Sequence, residues 1–308
     1  MKKKIISIVA LLFVTMSLSG CTDAVAKLND SNEVLFSVGK QNVTKGQLYS
    51  QMMNTYGPSA AISESSTYIA QKEIPVTDEM KQSAQESIDS YKSYYGDAFT
   101  KHLEQIGMTE EEYINENLIA SLQAAELPKK YIEENFDTVI TLYKPVKATL
   151  LNFTTQDEAN AALEELKNGG DPTEVATKNN STSSGEPEIY TINSTSVDSV
   201  IRTVINSATK EDGWFKAAAS DGATYAVIRI EENDVNNFKD EAIDALVELS
   251  TLQDESTAYW YKKYDFHIYD KIIYDAVAKD YPSYLVQDQL KQAIDQAVNA
   301  ADEANSNE

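Results

Sequence analysis

A single cysteine, Cys21, in a chain of 308 residues sets the first limit on what this sequence can fold into. One thiol allows no disulfide within the chain, and it excludes metal sites built from several thiolates. The two histidines, His102 and His267, stand in separate segments without the spacing of metal ligands, so we expect structural or surface roles for both and no metal site. The fold must therefore be held by its apolar core, for which an apolar content of 42% suffices.

The residues that precede Cys21 have the organisation of an export signal. Lysines at positions 2–4 are followed by an apolar run at 5–18, which is shorter than the about 20 residues of a membrane span. The run leads into the tetrapeptide Leu-Ser-Gly-Cys that ends at Cys21 and resembles a bacterial lipobox. We expect residues 1–20 to be a lipoprotein signal peptide and Cys21 to carry the lipid. A plain signal peptide with an incidental cysteine is the alternative.

Acidic residues dominate the chain. It carries 49 acidic and 26 basic residues, a net charge of −23, and removal of the three amino-terminal lysines leaves 23 basic residues and a net charge of −26. Such a surface repels nucleic acid, whose affinity for proteins comes largely from phosphate neutralisation. Anionic headgroups and anionic wall polymers would repel it as well. We therefore expect no nucleic-acid partner.

Capping residues and periodicity predict a mostly helical region at 34–144, which follows a polar tether at 21–33. It opens with a short apolar strand and a turn, after which Thr44 is the N-cap of a helix that Gly57 and the following proline should end. Later, Thr109 begins a Thr-Glu-Glu-Glu capping box at the start of another helix.

A small α+β domain is predicted at residues 145–232. Its first strand is Val146 to Phe153, a capping box at Thr155 opens the following helix, and its last strand is Tyr225 to Ile230. Residues 233–284 return to helices, with a short alternating strand at 264–270. Residues 285–308 form a polar, acidic tail.

The order of these segments resembles the PrsA-type foldase lipoproteins of Gram-positive bacteria and, more broadly, the SurA and trigger-factor-like chaperones. The segments that carry the resemblance are the lipobox, "VLFSVGKQNVTKGQLYSQM", "LKNGGDPTEVAT" and "YDFHIYDKI". It implies an α+β fold in which the two terminal segments form a helical, SurA-N-like chaperone body (34–144 and 233–284) around an inserted parvulin-like domain.

The resemblance also implies a function. It predicts a lipid-anchored foldase or chaperone at the extracytoplasmic face of the cell membrane that binds unfolded or newly secreted polypeptides and needs no cofactor. It leaves homodimerisation open.

The catalytic residues of the family do not carry over. Parvulin domains begin with a strand like V-x-A-S-H-I-L-V and end with one like G-Y-H-I-I-K-V, whose histidines contribute to the active site. Here Leu150 and Ala226 stand in the places of these histidines, and no methionine follows Met108 to grip a proline ring. Neither side chain can donate or accept a hydrogen bond. We therefore expect little or no prolyl isomerase activity.

Aromatic residues in the helical segments are candidates for client binding. Amphipathic rings provide a large contact area that tolerates many client sequences. The candidates are Tyr49, Tyr56, Tyr91, Tyr94, Tyr95, Tyr259, Trp260, Tyr261 and Tyr264. Packing of these rings in the core or at its rim is the alternative.

Two further functions remain open at this point. One is an active parvulin-type peptidyl-prolyl isomerase with an altered site. The other is a dedicated assembly factor for one envelope or conjugation complex. A solute-binding lipoprotein is disfavoured because the repeated parallel βαβ pattern of such proteins is missing.

Overall fold

The computed structural model of the chain describes residue 24 and residues 26–286. The predicted signal peptide, Cys21 and nearly all of the predicted acidic tail lie outside the described residues. The chain divides into two compact units. The helical unit comprises residues 1–128 and 254–308, and the sheet unit comprises residues 129–253. The α+β fold with an inserted sheet-containing unit is thereby confirmed.

The sheet unit extends beyond the predicted limits of 145 and 232 because the helices that flank the sheet have a core of their own. Phe136 and Val139 on the amino-terminal side pack with Ile243 and Leu246 on the carboxyl-terminal side. Within the described residues, no helix is both long and apolar enough to span a bilayer.

The helical unit begins with a hairpin. Strand β1 (Val34–Val38) pairs antiparallel with β2 (Gln41–Thr44), and Gly39 takes the left-handed conformation that the turn between them needs. The predicted cap at Thr44 is confirmed. The Thr44 hydroxyl accepts a hydrogen bond from the Gln47 amide, and the Gln47 side chain accepts one from the Thr44 amide at 2.9 Å.

Helix α1 (Lys45–Glu73) runs straight through the glycine and proline that were expected to end it, so this prediction is wrong. A β-carbon on the buried Gly57 would lie 2.9 Å from Cγ1 of Ile273 in helix α13 (Lys271–Asp280), which means that glycine allows the two helices to approach. Proline costs one hydrogen bond inside a helix. Packing against α13 outweighs that cost, since tertiary contacts routinely override local propensity.

The other helices of the helical unit largely follow the predicted punctuation. Thr77 and Thr109 cap two of them, and Gly107 ends a third in the left-handed conformation. After the cap at Thr109, the chain forms a π-helical segment before it continues as an α-helix. The bounds are α2 (Asp78–Tyr95), α3 (Asp97–Ile106), α4 (Glu110–Tyr113), the π-helix (Ile114–Ile119), α5 (Ala120–Ala125) and α12 (Ser250–Lys263). A final short 3-10 turn is Pro282–Tyr284.

Residues 264–270 do not form the predicted strand. Their alternation reflects side-chain packing instead, because Ile268 is buried and the Phe266 ring lies 4.3 Å from the Tyr261 ring. One backbone hydrogen bond, from the Ala26 amide to the Tyr269 carbonyl at 2.8 Å, joins this segment to the start of the described chain. The predicted strand at residues 264–270 is therefore wrong, although the alternation of exposed and buried side chains has a packing basis.

The sheet unit is built on four antiparallel strands in the order β4-β3-β6-β5. The bounds are β3 (Val146–Phe153), β4 (Pro187–Tyr190), β5 (Phe215–Ala218) and β6 (Tyr225–Glu232). The helices are α6 (Leu127–Glu134), α7 (Phe136–Tyr143), α8 (Gln156–Lys167), α9 (Pro172–Lys178), α10 (Ser199–Ser207) and α11 (Lys239–Val247). The predicted first strand and the predicted cap at Thr155 are confirmed, and Asp171 caps α9.

Both faces of the sheet are covered by helices. Helices α8 and α9 pack on the face that carries Leu151 and Phe153. Helix α10 packs on the opposite face, which carries Leu150 and Ala226. Because successive residues of a strand point to opposite faces, β3 contributes to both cores and is buried along nearly all its length.

Asp198 fixes the position of α10. Its carboxylate caps the helix by accepting hydrogen bonds from the amides of Val200 and Ile201, and it also accepts bonds from the amide and hydroxyl of Ser220 in the β5–β6 connection. The Ser220 hydroxyl and these amides lower the pKa of Asp198 to about 2. The charged carboxylate therefore joins α10 to the edge of the sheet.

We expect Gly57→Ala to lower the free energy of unfolding of the helical unit by about 1–3 kcal/mol, because the new methyl group overpacks the contact with Ile273. Without that contact, the same change in a helix would stabilise by about 1 kcal/mol. Urea unfolding followed by Trp260 fluorescence in a Trp214→Phe background measures the helical unit alone, since these are the chain's two tryptophans.

The control for this prediction is the same glycine substitution in an Ile273→Ala background, where the methyl group has room. There Gly57→Ala should be neutral or stabilising. An equal loss of stability in both backgrounds would contradict the packing explanation.

We expect the sheet unit to lose stability as the pH falls from 5 towards 2, and Asp198→Asn to reduce that loss. The pKa of Asp198 is about 2 in the folded chain and about 3.9 for an unfolded aspartate. The stability that the Asp198 carboxylate adds is therefore complete above the unfolded pKa and is lost as the pH falls through the folded pKa. Fluorine NMR of fluorotryptophan-labelled chain follows Trp214 separately during urea unfolding. Glu186→Gln, which removes an exposed loop carboxylate, is the matched control, and an equal effect of both variants would refute the assignment.

Candidate functional site

The register of β3 and β6 brings together the two positions that the sequence singled out. Leu150 pairs with Ile228, and Ala226 pairs with Asn152, so that Leu150 and Ala226 are diagonal neighbours on one face of the sheet. Ala217 of β5 lies beside Ala226 in the same register. The sheet thus places Leu150 and Ala226 in one local environment, although 75 residues of sequence lie between them.

This environment is closed and largely apolar, with the half-buried Asn152 as a polar neighbour opposite Ala226. Leu150 is 3% exposed and Ala226 is fully buried. Ile201 and Ile205 of α10 pack in the same cluster, and Ile228 stands opposite Leu150 and two residues from Ala226 on β6. The side chains that pack in this cluster are Val146, Ala148, Leu150, Tyr190, Val197, Ile201, Val204, Ile205, Ala208, Phe215, Ala217, Ala219, Ala226, Ile228 and Ile230.

Tyr190 is the cluster member with a polar end, and that end is occupied. Its hydroxyl donates a hydrogen bond to the Glu188 carboxylate at 3.1 Å. Burial raises the pKa of the Tyr190 hydroxyl well above its ordinary value, and the Glu188 charge adds to the shift. The hydroxyl therefore stays protonated at neutral pH and serves as a local hydrogen-bond donor.

Three polar or charged residues of β3 and β6 point to the opposite face. The buried Thr149 hydroxyl donates to Glu231 at 2.6 Å, and the Arg229 guanidinium binds the same carboxylate oxygen at 2.8 Å. The guanidinium also lies 4.7 Å from the centre of the Trp214 ring. This network satisfies its own charges and stands on the other side of the strands from Leu150 and Ala226.

The serine-rich segment at residues 181–185 forms a structural loop along β3. The Ser183 hydroxyl donates to the Leu150 carbonyl at 2.7 Å and accepts from the Asn152 amide at 3.0 Å. The Ser183 hydroxyl thereby provides hydrogen-bond partners for the backbone groups of β3 that lie beyond the end of β4. Gly185 has a φ of +80°, and a β-carbon there would lie 2.5 Å from the Pro172 carbonyl oxygen, so only glycine fits.

Three of the predicted client-binding rings are open to solvent. Tyr94 is 82% exposed, Tyr56 is 66% exposed and Tyr95 is 56% exposed. Tyr94 and Tyr95 contact each other edge to face, with 4.7 Å between ring centres. Tyr56 stands on a different helix, α1.

The exposed pair at the end of α2 rests on a buried aromatic cluster. Tyr91 is half-buried, with its ring 6.4 Å from that of Tyr95 and 5.7 Å from that of Phe99. Phe99 in turn meets the Tyr113 ring edge to face at 5.8 Å. Tyr94 and Tyr95 are thus held at the surface by a packed base.

Trp260 and Tyr261 are 1% exposed and belong to the core of the helical unit. The Trp260 indole donates to the Leu127 carbonyl, and the Tyr261 hydroxyl donates to the Ile62 carbonyl. Burial raises the pKa of the Tyr261 hydroxyl to about 12. These two rings stabilise the fold and offer no surface to a client.

The remaining candidates are half-buried. Tyr49 donates to Asp270 and Tyr264 donates to Glu73, while Tyr259 packs edge to face on Trp260. Sequence analysis did not single out Tyr68, which is 59% exposed on α1. Tyr68 is exposed because it lies on the face of α1 that no other described element covers. The sequence alone does not indicate which face that is.

The histidines stand apart from one another in sequence and in their contacts. His102 is exposed on α3, and His267 contacts the Asp265 carbonyl at 2.9 Å and stacks on Tyr269. Within residues 24 and 26–286, no three His, Cys, Asp or Glu side chains come together as metal ligands would.

The chain is similar in sequence to the foldase protein PrsA of Streptococcus sanguinis strain SK36. The two are 26% identical over 196 residues, which is 61% of this chain and 56% of that relative. The chain thus spans little more than half the length of the curated relative it matches. No protein-family model matches the chain.

Solved PrsA structures also align with the chain at low similarity. The foldase protein PrsA of Streptococcus pneumoniae is 18% identical, with a TM-score of 0.39, over 82% of this chain and 100% of that one. The peptidylprolyl isomerase PrsA of Bacillus cereus is 14% identical, with a TM-score of 0.42, over 81% of this chain and 98% of that one. The sequence similarity to a PrsA foldase confirms the resemblance to the PrsA-type foldases that the motifs of the chain predict.

Proposed function

We propose that the chain is an extracytoplasmic foldase that binds unfolded or newly secreted polypeptides and assists their folding after translocation, without catalysing prolyl isomerisation. The similarity to a protein named as a foldase supports the first part. The second part depends on one observation: the two positions of the parvulin histidines are filled by Leu150 and Ala226, inside a closed apolar core.

The chemistry of isomerisation explains why that observation matters. Rotation about a peptide bond crosses a barrier of about 18–20 kcal/mol, and a catalyst must hold polar groups ready around the twisted amide. Leu150 and Ala226 offer no such group, and Ile201 and Ile205 occupy the space above them. A proline peptide would have to displace α10 to reach this face of the sheet.

Client binding is assigned to the exposed rings of Tyr94 and Tyr95, with Tyr56 as a separate contact. Tyrosine supplies apolar area and a hydrogen-bonding end at low conformational cost, which suits clients of many sequences. The segment that carries the pair, residues 78–116, holds ten acidic and three basic residues, a net charge of −7. Basic or neutral clients are therefore favoured over acidic ones.

The lipid on Cys21 places this activity at the membrane. The basic start, the short apolar run and the Leu-Ser-Gly-Cys tetrapeptide together support lipidation at the extracytoplasmic face. A chaperone held there meets polypeptides as they leave the translocation machinery.

We expect the chain from residue 22 onwards to suppress aggregation of an unfolded protein without accelerating proline isomerisation. A proline-peptide assay and a light-scattering assay on the same preparation measure the two properties, with an active parvulin as the positive control. The rate should stay at its uncatalysed value at every concentration of the chain. An acceleration that rises with concentration and that Leu150→Ala changes would contradict the loss of catalysis.

We expect Tyr94→Ser to weaken client binding by about 1–2 kcal/mol, or roughly 5- to 30-fold in the dissociation constant. The substitution removes a ring that is 82% exposed, so it should leave the thermal midpoint unchanged. Fluorescence anisotropy of a labelled, permanently unfolded peptide measures the binding. Tyr68→Ser, which removes another exposed ring of the helical unit, is the control, and an equal loss in both variants would reject the specific role of Tyr94.

A further inference from the structure

The β1–β2 hairpin exposes an unusual amount of apolar surface. All five residues of β1 are exposed and four are apolar, with Val38 at 75%, Phe36 at 51%, Val34 at 49% and Leu35 at 45%. β1 pairs with β2, and within the described residues no strand pairs with its other edge. Proteins usually protect such an edge with charges, proline or a covering element. Here the apolar strand faces outward without that protection.

The charge of the hairpin is opposite to that of the chain. Residues 34–45 contain Lys40 and Lys45 and no acidic residue, although the chain as a whole carries 49 acidic residues. Lys40 stands in the turn, two residues from Val38. Apolar side chains next to lysine are the combination that binds at the boundary between headgroups and acyl chains, because the ammonium group reaches the phosphates while the apolar groups enter below them.

The distance from the lipid anchor restricts where this hairpin can be. The Ala26 amide donates a hydrogen bond to the Tyr269 carbonyl at 2.8 Å, so the chain is attached to the helical unit from that residue onwards. Cys21 lies five residues earlier, and five residues span at most about 18 Å. A lipid on Cys21 therefore keeps the surface around Tyr269, itself 60% exposed, next to the bilayer.

Hydrogen bonds place the base of the hairpin at the same corner of the helical unit. β2 leads directly into α1, whose Gly46 amide donates to the Ser31 carbonyl at 2.8 Å. One turn later, Tyr49 donates to Asp270 at 2.7 Å. The start of α1, the foot of the hairpin and residues 269–270 are thus neighbours.

We propose that the β1–β2 hairpin is a membrane-contact element that lies in the headgroup region of the bilayer to which Cys21 is anchored. Val38 and Phe36 reach the acyl boundary, and Lys40 binds lipid phosphate. The inference rests on the proposed lipidation of Cys21. It also gives the helical unit an orientation, since the basic hairpin faces the anionic surface. A second copy of the chain is the less favoured occupant because two chains of net charge −26 repel each other.

The experiment uses the processed, lipidated chain in vesicles of phosphatidylcholine and phosphatidylglycerol. Lipidation consumes the thiol of Cys21, so Val38→Cys provides a single site for an environment-sensitive fluorophore. We expect its emission to shift to shorter wavelength and to be quenched by nitroxide-bearing lipids. Tyr94→Cys, at a position of similar exposure, is the matched control and should keep its aqueous emission.

The outcomes separate this inference from the anchoring on which it rests. If the chain sediments with membranes but quenching is equal at positions 38 and 94, or absent at position 38, the proposed hairpin contact is wrong. The proposed lipid anchor is unaffected by that result. A chain that does not sediment with membranes overturns both. Pyrene excimer emission at position 38 without lipid quenching would place a second copy on β1 and would also overturn the proposal.

Discussion

The antiparallel pair of β3 and β6 is the constraint on which the sheet unit depends. Each strand is covered on both faces, so every residue along the pair must suit one of two cores. A shift of one residue would exchange Leu150 with Leu151 and would carry Thr149 and Arg229 into the apolar cluster. The Thr149–Glu231–Arg229 network and the cap at Asp198 both depend on this register. The register is therefore what closes the face where a parvulin would have its active site.

The same constraint favours leucine and alanine at positions 150 and 226. A leucine and an alanine at buried positions of a central strand add to packing, whereas histidines there would need hydrogen-bond partners. The cluster under α10 supplies apolar neighbours to both side chains. Leucine and alanine at these positions therefore favour a stable sheet unit.

Local signals predicted most element boundaries in this chain. Side-chain caps at Thr44, Thr77, Thr109 and Asp171 satisfy free amides within three residues, so their effect can be read from the sequence. The errors at Gly57 and at residues 264–270 have a different origin. A glycine followed by proline stays helical because α13 packs on it, and an alternating segment stays outside a sheet because no strand pairs with it. Local sequence carries no signal for the approach of α13 or for the lack of a pairing strand among the described residues.

The amino-acid sequence by itself determined the pattern that predicts an export signal, the single cysteine, the acidic charge and the absence of histidine at positions 150 and 226. These are matters of residue identity, and they limit the chemistry whatever the fold. Only the tertiary structure decided which aromatic rings reach solvent. Tyr94 and Trp260 both stand on helices, but one is 82% exposed and the other 1%, because exposure depends on which helix face meets a neighbour. The exposed hairpin has the same cause: β1 has the composition of a buried strand, and only the arrangement of the unit around it leaves it uncovered.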